Sequence, residues 1–266
     1  GSVVLALLLS LAACRDGARA DPPGTEAPID VPALRTRSFG EGPATLVLLH
    51  GYGAPGDDLV PLARRLAAPG WRAVLPEAPL AIPSSRGRAW WPLGDVRARR
   101  AAGEDLTITA PRGLDARARV LGLLGRLEAE GAGPVVLGGF SQGAMLAMDV
   151  AFTSERPLAG LIAWSGTVMR RARWEAGLLR RRALPSLLSH GTGDPLLAHD
   201  VSAAWARTLE GAGLDVRWVS FPGGHAIPAP ARAAAATLLR EVLSSARPAG
   251  PADPSGSARG PGPGGR

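Results

Sequence analysis

Residues 135–143 read VVLGGFSQG, and this short stretch decides the fold of the chain. Its first three residues form a continuous apolar run, which is typical of a strand buried in a parallel sheet. The stretch that follows, Gln142–Phe152, is predicted to be a helix. Ser141 therefore lies at a strand-to-helix turn, within the nucleophile-elbow pattern Gly-x-Ser-x-Gly. Such a turn strains the serine backbone, and side chains in place of the flanking glycines would collide with the strand or the helix.

On both sides of this stretch, strand-like apolar runs alternate with amphipathic helical stretches. The predicted strands are Thr45–Leu49, Arg72–Leu75, Val135–Gly139, Leu158–Trp164, Ser186–Ser189 and Val216–Phe221, and the predicted helices are Asp57–Ala68, Asp115–Glu130, Gln142–Phe152, His199–Gly211 and Pro230–Ser245. This alternation predicts an α/β domain, a mainly parallel sheet with helices on both faces. The chain has 266 residues, 46% of them hydrophobic, which is enough for one such domain with a sizeable core. We assign residues 33–246 to it.

A long irregular segment, residues 76–112, interrupts the alternation and contains Trp90 and Trp91 side by side. Loops of this length inside a compact domain are usually functional or disordered, and adjacent tryptophans argue against disorder. Two roles stay open for the pair. Trp90 and Trp91 either fill the edge of the core or form a wall of the substrate pocket.

A serine hydroxyl is a poor nucleophile at neutral pH, so the elbow is useful only if a base reaches it and a third group orients that base. His225 follows the last predicted strand in the sequence Gly-Gly-His, and Asp194 follows another strand in His-Gly-Thr-Gly-Asp-Pro. The order Ser141, Asp194, His225 is the one that the α/β-hydrolase fold uses. We predict Ser141 as nucleophile, His225 as general base and Asp194 as the group that orients the histidine.

Other histidines and aspartates fit these roles less well. Asp200 falls inside a predicted helix, and Asp215 lies at the start of a strand, the wrong end of the sheet for such a site. His190 is predicted to support the loop of the acid by hydrogen bonding. His199 begins a helix and is expected to be exposed, and His50 is expected to brace the loop after the first strong strand.

That loop, Leu49-His50-Gly51-Tyr52-Gly53, lies where this fold places a donor for the oxyanion hole. The backbone N–H groups of Tyr52 and Gln142 are the two predicted donors. Further along, Asp57 and Asp58 follow a Pro-Gly pair and are predicted to cap the next helix.

The formal net charge of +7 comes from arginine alone, since the chain contains no lysine. This pattern indicates coding in a GC-rich genome rather than phosphate binding, and no nucleic-acid motif accompanies it, so no nucleic-acid partner is predicted. Two arginine clusters flank Trp174 and are predicted to lie in a solvated insertion: Arg170, Arg171 and Arg173, then Arg180, Arg181 and Arg182. No pair of histidines has metal-ligand spacing beside a carboxylate motif, so a metal enzyme is not expected.

Taken together, Leu-Leu-His-Gly-Tyr-Gly ending at Gly53, Gly-Gly-Phe-Ser-Gln-Gly ending at Gly143, His-Gly-Thr-Gly-Asp-Pro and Gly-Gly-His resemble the phospholipase/carboxylesterase family, which includes acyl-protein thioesterases. The resemblance covers roughly Thr45 to Leu243. It implies cofactor-free hydrolysis of carboxylic esters or thioesters of small or acyl-chain substrates through an acyl-serine. Ala144 departs from the family, where many members have another glycine, and the arginine-rich segment could reshape the acyl pocket.

The ends of the chain predict a different environment from that of cytosolic family members. Val3–Leu11 has the length of a signal-peptide apolar region, and residues 11–14, Leu-Ala-Ala-Cys, resemble a bacterial lipoprotein cleavage site. We predict a signal peptide over residues 1–14, lipidation of Cys14, a flexible tether over 15–32 and a disordered tail over 247–266. The protein would then be anchored at a membrane of the bacterial cell envelope, or otherwise secreted or periplasmic. The alternative is that Cys14, the only cysteine, is incidental.

Two alternatives to a soluble-ester hydrolase remain open. The anchor and the basic clusters suggest a lysophospholipase or lipid esterase acting at a membrane surface. The same fold could also belong to a catalytically idle binding protein, because fold alone does not guarantee chemistry.

Overall fold

A computed structural model of the chain describes residues 32–67, 69–93 and 113–246. The strands are β1 Thr36–Phe39, β2 Ala44–Leu49, β3 Trp71–Pro76, β4 Leu80–Ala81, β5 Arg88–Ala89, β6 Val135–Phe140, β7 Gly160–Trp164, β8 Ser186–Gly191 and β9 Val216–Phe221. The helices are α1 Val60–Leu66, α2 Gly113–Ala129, α3 Gln142–Thr153, α4 Arg171–Glu175, α5 His199–Gly211 and α6 Ala229–Ser245, and a 3₁₀ turn spans Leu178–Arg181. The signal segment 1–14 with Cys14, nearly all of the tether, the tail 247–266 and loop residues 94–112 lie outside the described residues.

The main sheet has seven strands in the order β1-β3-β2-β6-β7-β8-β9. Strand β1 runs antiparallel to β3, and the other neighbours are parallel. From β2 the chain proceeds outward to β3 and then returns to place β6 on the other side of β2. The strand order therefore reverses between β2 and β6, and a crevice at the carboxyl ends of these two strands is where open α/β sheets bind ligands.

Alternating side chains of β2 show why this sheet needs helices on both faces. Leu46 and Leu48 pack into one core with residues of α1 and α6. Val47 and Leu49 pack into a second core with residues of α2, α3 and α5. All six residues of β2 are buried, as a central parallel strand requires. The predicted α/β-hydrolase fold class is confirmed.

The structure differs from the sequence prediction at the start of α1 and at the sheet edge. Helix α1 begins at Val60, not Asp57, because Pro55-Gly56 and the next residues form turns in which Asp58 N–H donates to Pro55 O. The prediction that Asp57 and Asp58 cap this helix was wrong, since Leu59 occupies the cap position. Strand β1 was not predicted because three of its four residues are exposed, so it has no apolar alternation.

The prediction of a solvated insertion for Arg170–Arg182 was correct only in part: Arg173, Arg180 and Arg182 are exposed, but other side chains of the segment are buried. Trp174 is fully buried and Arg181 is 9% exposed. The Arg181 guanidinium donates to the backbone oxygens of Ala151 and Ser154 at 2.7 and 2.8 Å, at the end of α3. The segment is thus fixed to α3 by arginine side chains that reach carbonyl groups left unpaired at a helix terminus.

A buried carboxylate of α3 forms the second attachment of this segment. Asp149 accepts hydrogen bonds from Arg170 Nε at 3.0 Å and from Trp174 Nε1 at 2.7 Å, and its side chain is 4% exposed. Arg117 of α2 lies 3.7 Å from the same carboxylate. Asp149 therefore joins α2, α3 and the segment that follows β7.

Asp149→Ala should lower the free energy of unfolding by about 3–5 kcal/mol, because it leaves a buried guanidinium without its counter-charge. The matched control is Glu128→Ala, which breaks the exposed Arg156–Glu128 pair at the other end of α2 and should cost at most about 1 kcal/mol. Urea unfolding midpoints measure both. Equal midpoints for the two variants would contradict this assignment of Asp149.

Candidate active site

Ser141 lies at the carboxyl end of β6, one residue before α3. Its backbone has φ 55° and ψ −118°, a conformation that non-glycine residues rarely adopt. The turn is held by Ser141 N–H, which donates to Trp164 O of β7 at 2.9 Å. Two glycines allow it: a Cβ on Gly139 would lie 2.4 Å from Gly143 C, and one on Gly143 would lie 2.1 Å from Leu49 O. The strained turn that the motif predicts is present.

Gly143→Ala should lower the free energy of unfolding by about 1–3 kcal/mol, because the new methyl group would force the backbone of the β2 end away from α3. Gly122→Ala is the control, since a Cβ there meets only the tip of Arg126 at 3.8 Å. That change should stabilise α2 by up to about 1 kcal/mol. Chemical denaturation measures the change in the free energy of unfolding for both variants, and the two changes should have opposite signs. Stabilisation by Gly143→Ala would contradict the close approach of Gly143 to Leu49 O.

His225 and Asp194 follow β9 and β8 at the same edge of the sheet. His225 Nδ1 lies 2.6 Å from Asp194 Oδ2, and Asp194 Oδ1 accepts the N–H groups of Leu196 and Leu197 at 2.8 and 3.0 Å. An ionised carboxylate only accepts hydrogen bonds, so Nδ1 carries the proton. Nε2 of His225 is then the ring nitrogen that can accept one.

The electrostatics of Asp194 favour its charged form. Burial by itself would raise its pKa, but hydrogen bonds from His225, Leu197 and Leu196 outweigh this, and the pKa lies below its ordinary value. Asp194 therefore stays ionised through the neutral range.

His190 makes a direct contact with the acid. Its Nε2 lies 3.1 Å from Asp194 Oδ2 and 3.0 Å from Leu197 O. Both neighbours are acceptors, so Nε2 carries a proton and donates. Burial lowers the pKa of His190, which keeps the ring neutral. His190 thus supports the acid loop, as the sequence predicts, and it binds the same carboxylate oxygen that holds His225.

The two predicted oxyanion donors lie on either side of the reversal between β2 and β6. Tyr52 is in the turn after β2, and Gln142 is the first residue of α3, directly after Ser141. His50 braces the first loop, because its Nε2 accepts Ala78 N–H at 3.1 Å and its Nδ1 lies 2.8 Å from Gly51 O. His50 is buried, and this lowers its pKa, so the neutral ring fits these two contacts.

Trp90 and Trp91 are 1% and 3% exposed, which favours the core-edge role over the pocket-wall role. The Trp90 indole N–H donates to His50 O at 2.9 Å. The side chain of Gln142 accepts Trp90 N–H through Oε1 at 2.8 Å and donates from Nε2 to Trp91 O at 2.8 Å. These bonds tie both predicted oxyanion loops to the tryptophan pair.

Ser165 is a residue of this site that the sequence analysis missed. It follows β7 with φ 48°, is fully buried, and its hydroxyl donates to Ala226 O at 3.2 Å, next to His225. The His225 ring also packs on Phe140, with 4.8 Å between ring centres, which brings the histidine beside the nucleophile elbow. The feature of the sequence that could have indicated Ser165 is the pair Ser165-Gly166, which directly follows the predicted strand Leu158–Trp164.

The rival residues lie elsewhere. Asp200 is fully exposed in α5, and Asp215 precedes β9, at the opposite end of the sheet. His199 is less exposed than expected, with 20% of its side chain accessible, and it contacts Ser220 Oγ through Nε2 at 2.9 Å and Asp200 through Nδ1 at 3.1 Å. Within the described ranges, no group of three His, Cys, Asp or Glu side chains could hold a metal ion, and no helix is long and apolar enough to cross a bilayer.

Comparison with known proteins supports the motif-based resemblance. The profile of the phospholipase/carboxylesterase family matches residues 40–242. Acyl-protein thioesterase 1 of Gibberella zeae is 32% identical over 100 residues, which are 35% of this chain and 42% of that protein. The chain therefore aligns with about two fifths of that relative's length. A homologue of acyl-protein thioesterase 1 in Dictyostelium discoideum is 24% identical over 68% of this chain and 83% of its own length.

Solved structures give the same result. The crystal structure of esterase PE8 has a TM-score of 0.68 and 30% identity and covers 79% of this chain and 99% of its own. Zea mays acyl-protein thioesterase 2, at 23% identity and a TM-score of 0.61 over 79% of this chain and 99% of its own, shows the same fold. The family profile spans most of the chain, including the elbow, the acid loop and the histidine loop. The chain belongs to the phospholipase/carboxylesterase family of α/β hydrolases.

Proposed function

We propose that the protein is a serine hydrolase that cleaves carboxylic esters and thioesters through an acyl-serine intermediate. The observation that supports this most is the 2.6 Å contact between His225 Nδ1 and Asp194 Oδ2 beside the strained turn of Ser141. It fixes the histidine tautomer that can take a proton from a serine hydroxyl. The names of the relatives, thioesterase and esterase, indicate the same class of substrate.

In the proposed reaction, Ser141 Oγ attacks the acyl carbonyl while His225 Nε2 takes its proton. The backbone N–H groups of Tyr52 and Gln142 stabilise the negative oxygen of the tetrahedral intermediate. The intermediate collapses, the alcohol or thiol leaves with the proton from His225, and the acyl group stays on Ser141. Water that gives a proton to His225 then attacks the acyl-serine and releases the acid, which restores the enzyme.

A fluorophosphonate probe combined with initial rates on p-nitrophenyl acetate, butyrate and octanoate tests the proposal. Labelling of the folded protein, together with hydrolysis that depends on chain length, is the expected result. A butyryl thioester, followed through release of its thiol, tests the thioester half. A folded protein that is neither labelled nor active on any of these would favour the idle-fold alternative.

We also propose that Cys14 is lipidated and holds the enzyme at a membrane of the bacterial cell envelope. The support is the sequence alone, an apolar run followed by Leu-Ala-Ala-Cys. A lipid anchor would bring the enzyme to lipid esters, which is the reason to test lysophospholipid beside soluble esters. Expression in a bacterium fed radiolabelled palmitate should label the protein but not Cys14→Ser, and detergent partitioning should change accordingly. Equal labelling of both would refute the anchor.

A further inference from the structure

A polar groove of about 440 Å³ lies beside the oxyanion loop and has no part in the proposed mechanism. Its charged lining consists of Arg35, Arg37, Arg86, Arg88, Asp57 and Glu77. Four guanidinium groups and two carboxylates leave the described lining with two net positive charges. A groove whose lining has a net positive charge attracts anionic ligands.

The groove opens at the same edge of the sheet as Ser141. Glu77 directly follows the carboxyl end of β3, and Arg35 directly precedes β1, which runs antiparallel to β3. Ser141 directly follows β6, and the sheet order runs from β6 through β2 and β3 to β1. Two to three strand spacings therefore separate the serine from the groove, roughly 10–15 Å.

One wall of the groove is bonded to the oxyanion loop. Gly53 N–H donates to Arg88 O at 2.9 Å, and Arg88 N–H donates to Ala54 O at 3.0 Å. A Cβ on Gly87 would lie 2.3 Å from Gly53 O, so the two backbones are in direct contact. The turn that carries Tyr52 is thus shared between the proposed oxyanion site and the groove.

The arginines are only loosely neutralised. Arg35 lies 4.0 Å from Glu77 and Arg37 lies 3.8 Å from Asp57, both longer than hydrogen bonds, and the two arginine side chains are mostly exposed. Arg88 Nε donates to Ala78 O at 2.9 Å and Nη2 donates to Pro79 O at 3.0 Å, while the same Nε lies 3.6 Å from Glu77 Oε1, beyond hydrogen-bond distance. The ion pairs of Arg35 and Arg37 are exposed and contribute little stability, so an incoming anion displaces the carboxylates at small cost.

We propose that this groove binds a carboxylate or phosphate at the far end of the substrate, so that the enzyme prefers esters with an anionic terminus about 10–15 Å from the scissile bond. The inference rests on the proposed hydrolase function. Guanidinium groups suit this ligand because their planar donors match carboxylate and phosphate oxygens.

The test compares the p-nitrophenyl monoester of sebacic acid with its neutral methyl ester, and the succinate monoester serves as a chain too short to reach. We expect a lower KM for the sebacate monoester than for its methyl ester, and no such preference for succinate. Arg37→Glu combined with Arg86→Glu should raise the sebacate KM about tenfold and leave the neutral ester unchanged. High salt should weaken the preference in the wild type.

The control is the double variant Arg207→Glu with Arg240→Glu, which changes the net charge by the same amount at exposed positions of α5 and α6.

A second pair of substrates, S-butyryl-glutathione and neutral S-butyryl-N-acetylcysteamine, places the anion on the leaving group instead of the acyl chain. A preference in either pair that only the groove variant removes supports the proposal. If the neutral ester is hydrolysed but neither pair shows a preference for the anionic substrate, the groove proposal is refuted and the hydrolase proposal stands. If no ester is hydrolysed, the hydrolase proposal fails, and an NMR titration with sebacate, compared between wild type and groove variant, decides on the groove.

Discussion

Ser141→Ala is expected to reduce kcat on p-nitrophenyl butyrate by about 10⁴- to 10⁶-fold and to abolish fluorophosphonate labelling. Ser141 Oγ is the atom that would form the ester bond of the acyl-enzyme, and no neighbouring group in the elbow replaces it. The residual rate would come from substrate binding and from the backbone donors of Tyr52 and Gln142, which the substitution leaves in place. Alanine keeps a Cβ at the strained position, so the thermal unfolding midpoint should hardly change.

Ser220→Ala is the matched control for this experiment. Ser220 is exposed on β9, and its hydroxyl lies 2.9 Å from His199 Nε2, while His199 Nδ1 lies 3.1 Å from Asp200. This surface group resembles the arrangement around Ser141 in its residue types but lacks a strained elbow. Full activity in Ser220→Ala beside loss in Ser141→Ala is expected. The reverse pattern would move the nucleophile to β9.

Asp194→Asn is expected to reduce kcat by about 10⁴-fold with little change in KM. An asparagine amide can present N–H to His225 Nδ1, which would stabilise the tautomer with its proton on Nε2. That ring nitrogen could then no longer accept the serine proton. Steady-state rates measure the loss, and Asp200→Asn, at a fully exposed position, should keep wild-type rates. Loss of activity in Asp200→Asn alone would contradict the role given to Asp194.

The same substitution should change how stability depends on pH. The pKa of Asp194 is lower in the folded protein than its ordinary value, so its ionised form stabilises the fold above the unfolded pKa. This contribution is lost as the pH falls through the lowered folded pKa. Asp194→Asn has no such group, so its free energy of unfolding should decline less over the acid range. Denaturant titrations at several acid pH values test this, and identical slopes would contradict it.

Much of the fold was predictable because it depends on local patterns. Continuous apolar runs marked the buried strands, and the Gly-x-Ser-x-Gly turn between strand and helix placed Ser141 at a carboxyl edge. Parallel strands bring their carboxyl ends to one edge of the sheet, so the loops of Asp194 and His225 were expected beside it. The expected meeting of these two loops rested on chain order, and the catalytic roles stay predictions until the variants are measured.

Features that depend on partners far apart in the chain were not predictable. The Gln142 side chain forms hydrogen bonds with the backbone of Trp90 and Trp91, more than fifty residues earlier in the chain. No local sequence pattern predicts these bonds. The burial of Arg181 similarly depends on carbonyls of a helix that ended before β7 began.

By itself, the sequence determined the alternation of strands and helices, the strained turn and the loops that carry the candidate triad, because hydrophobic periodicity and glycine sterics act within a few residues. Only the tertiary structure decided that His190 shares the carboxylate of Asp194, that the tryptophan pair ties the oxyanion loops together and that four arginines line one groove. Hydrogen bonds and electrostatic fields depend on distances in space, and those are set when the sheet order brings distant segments together.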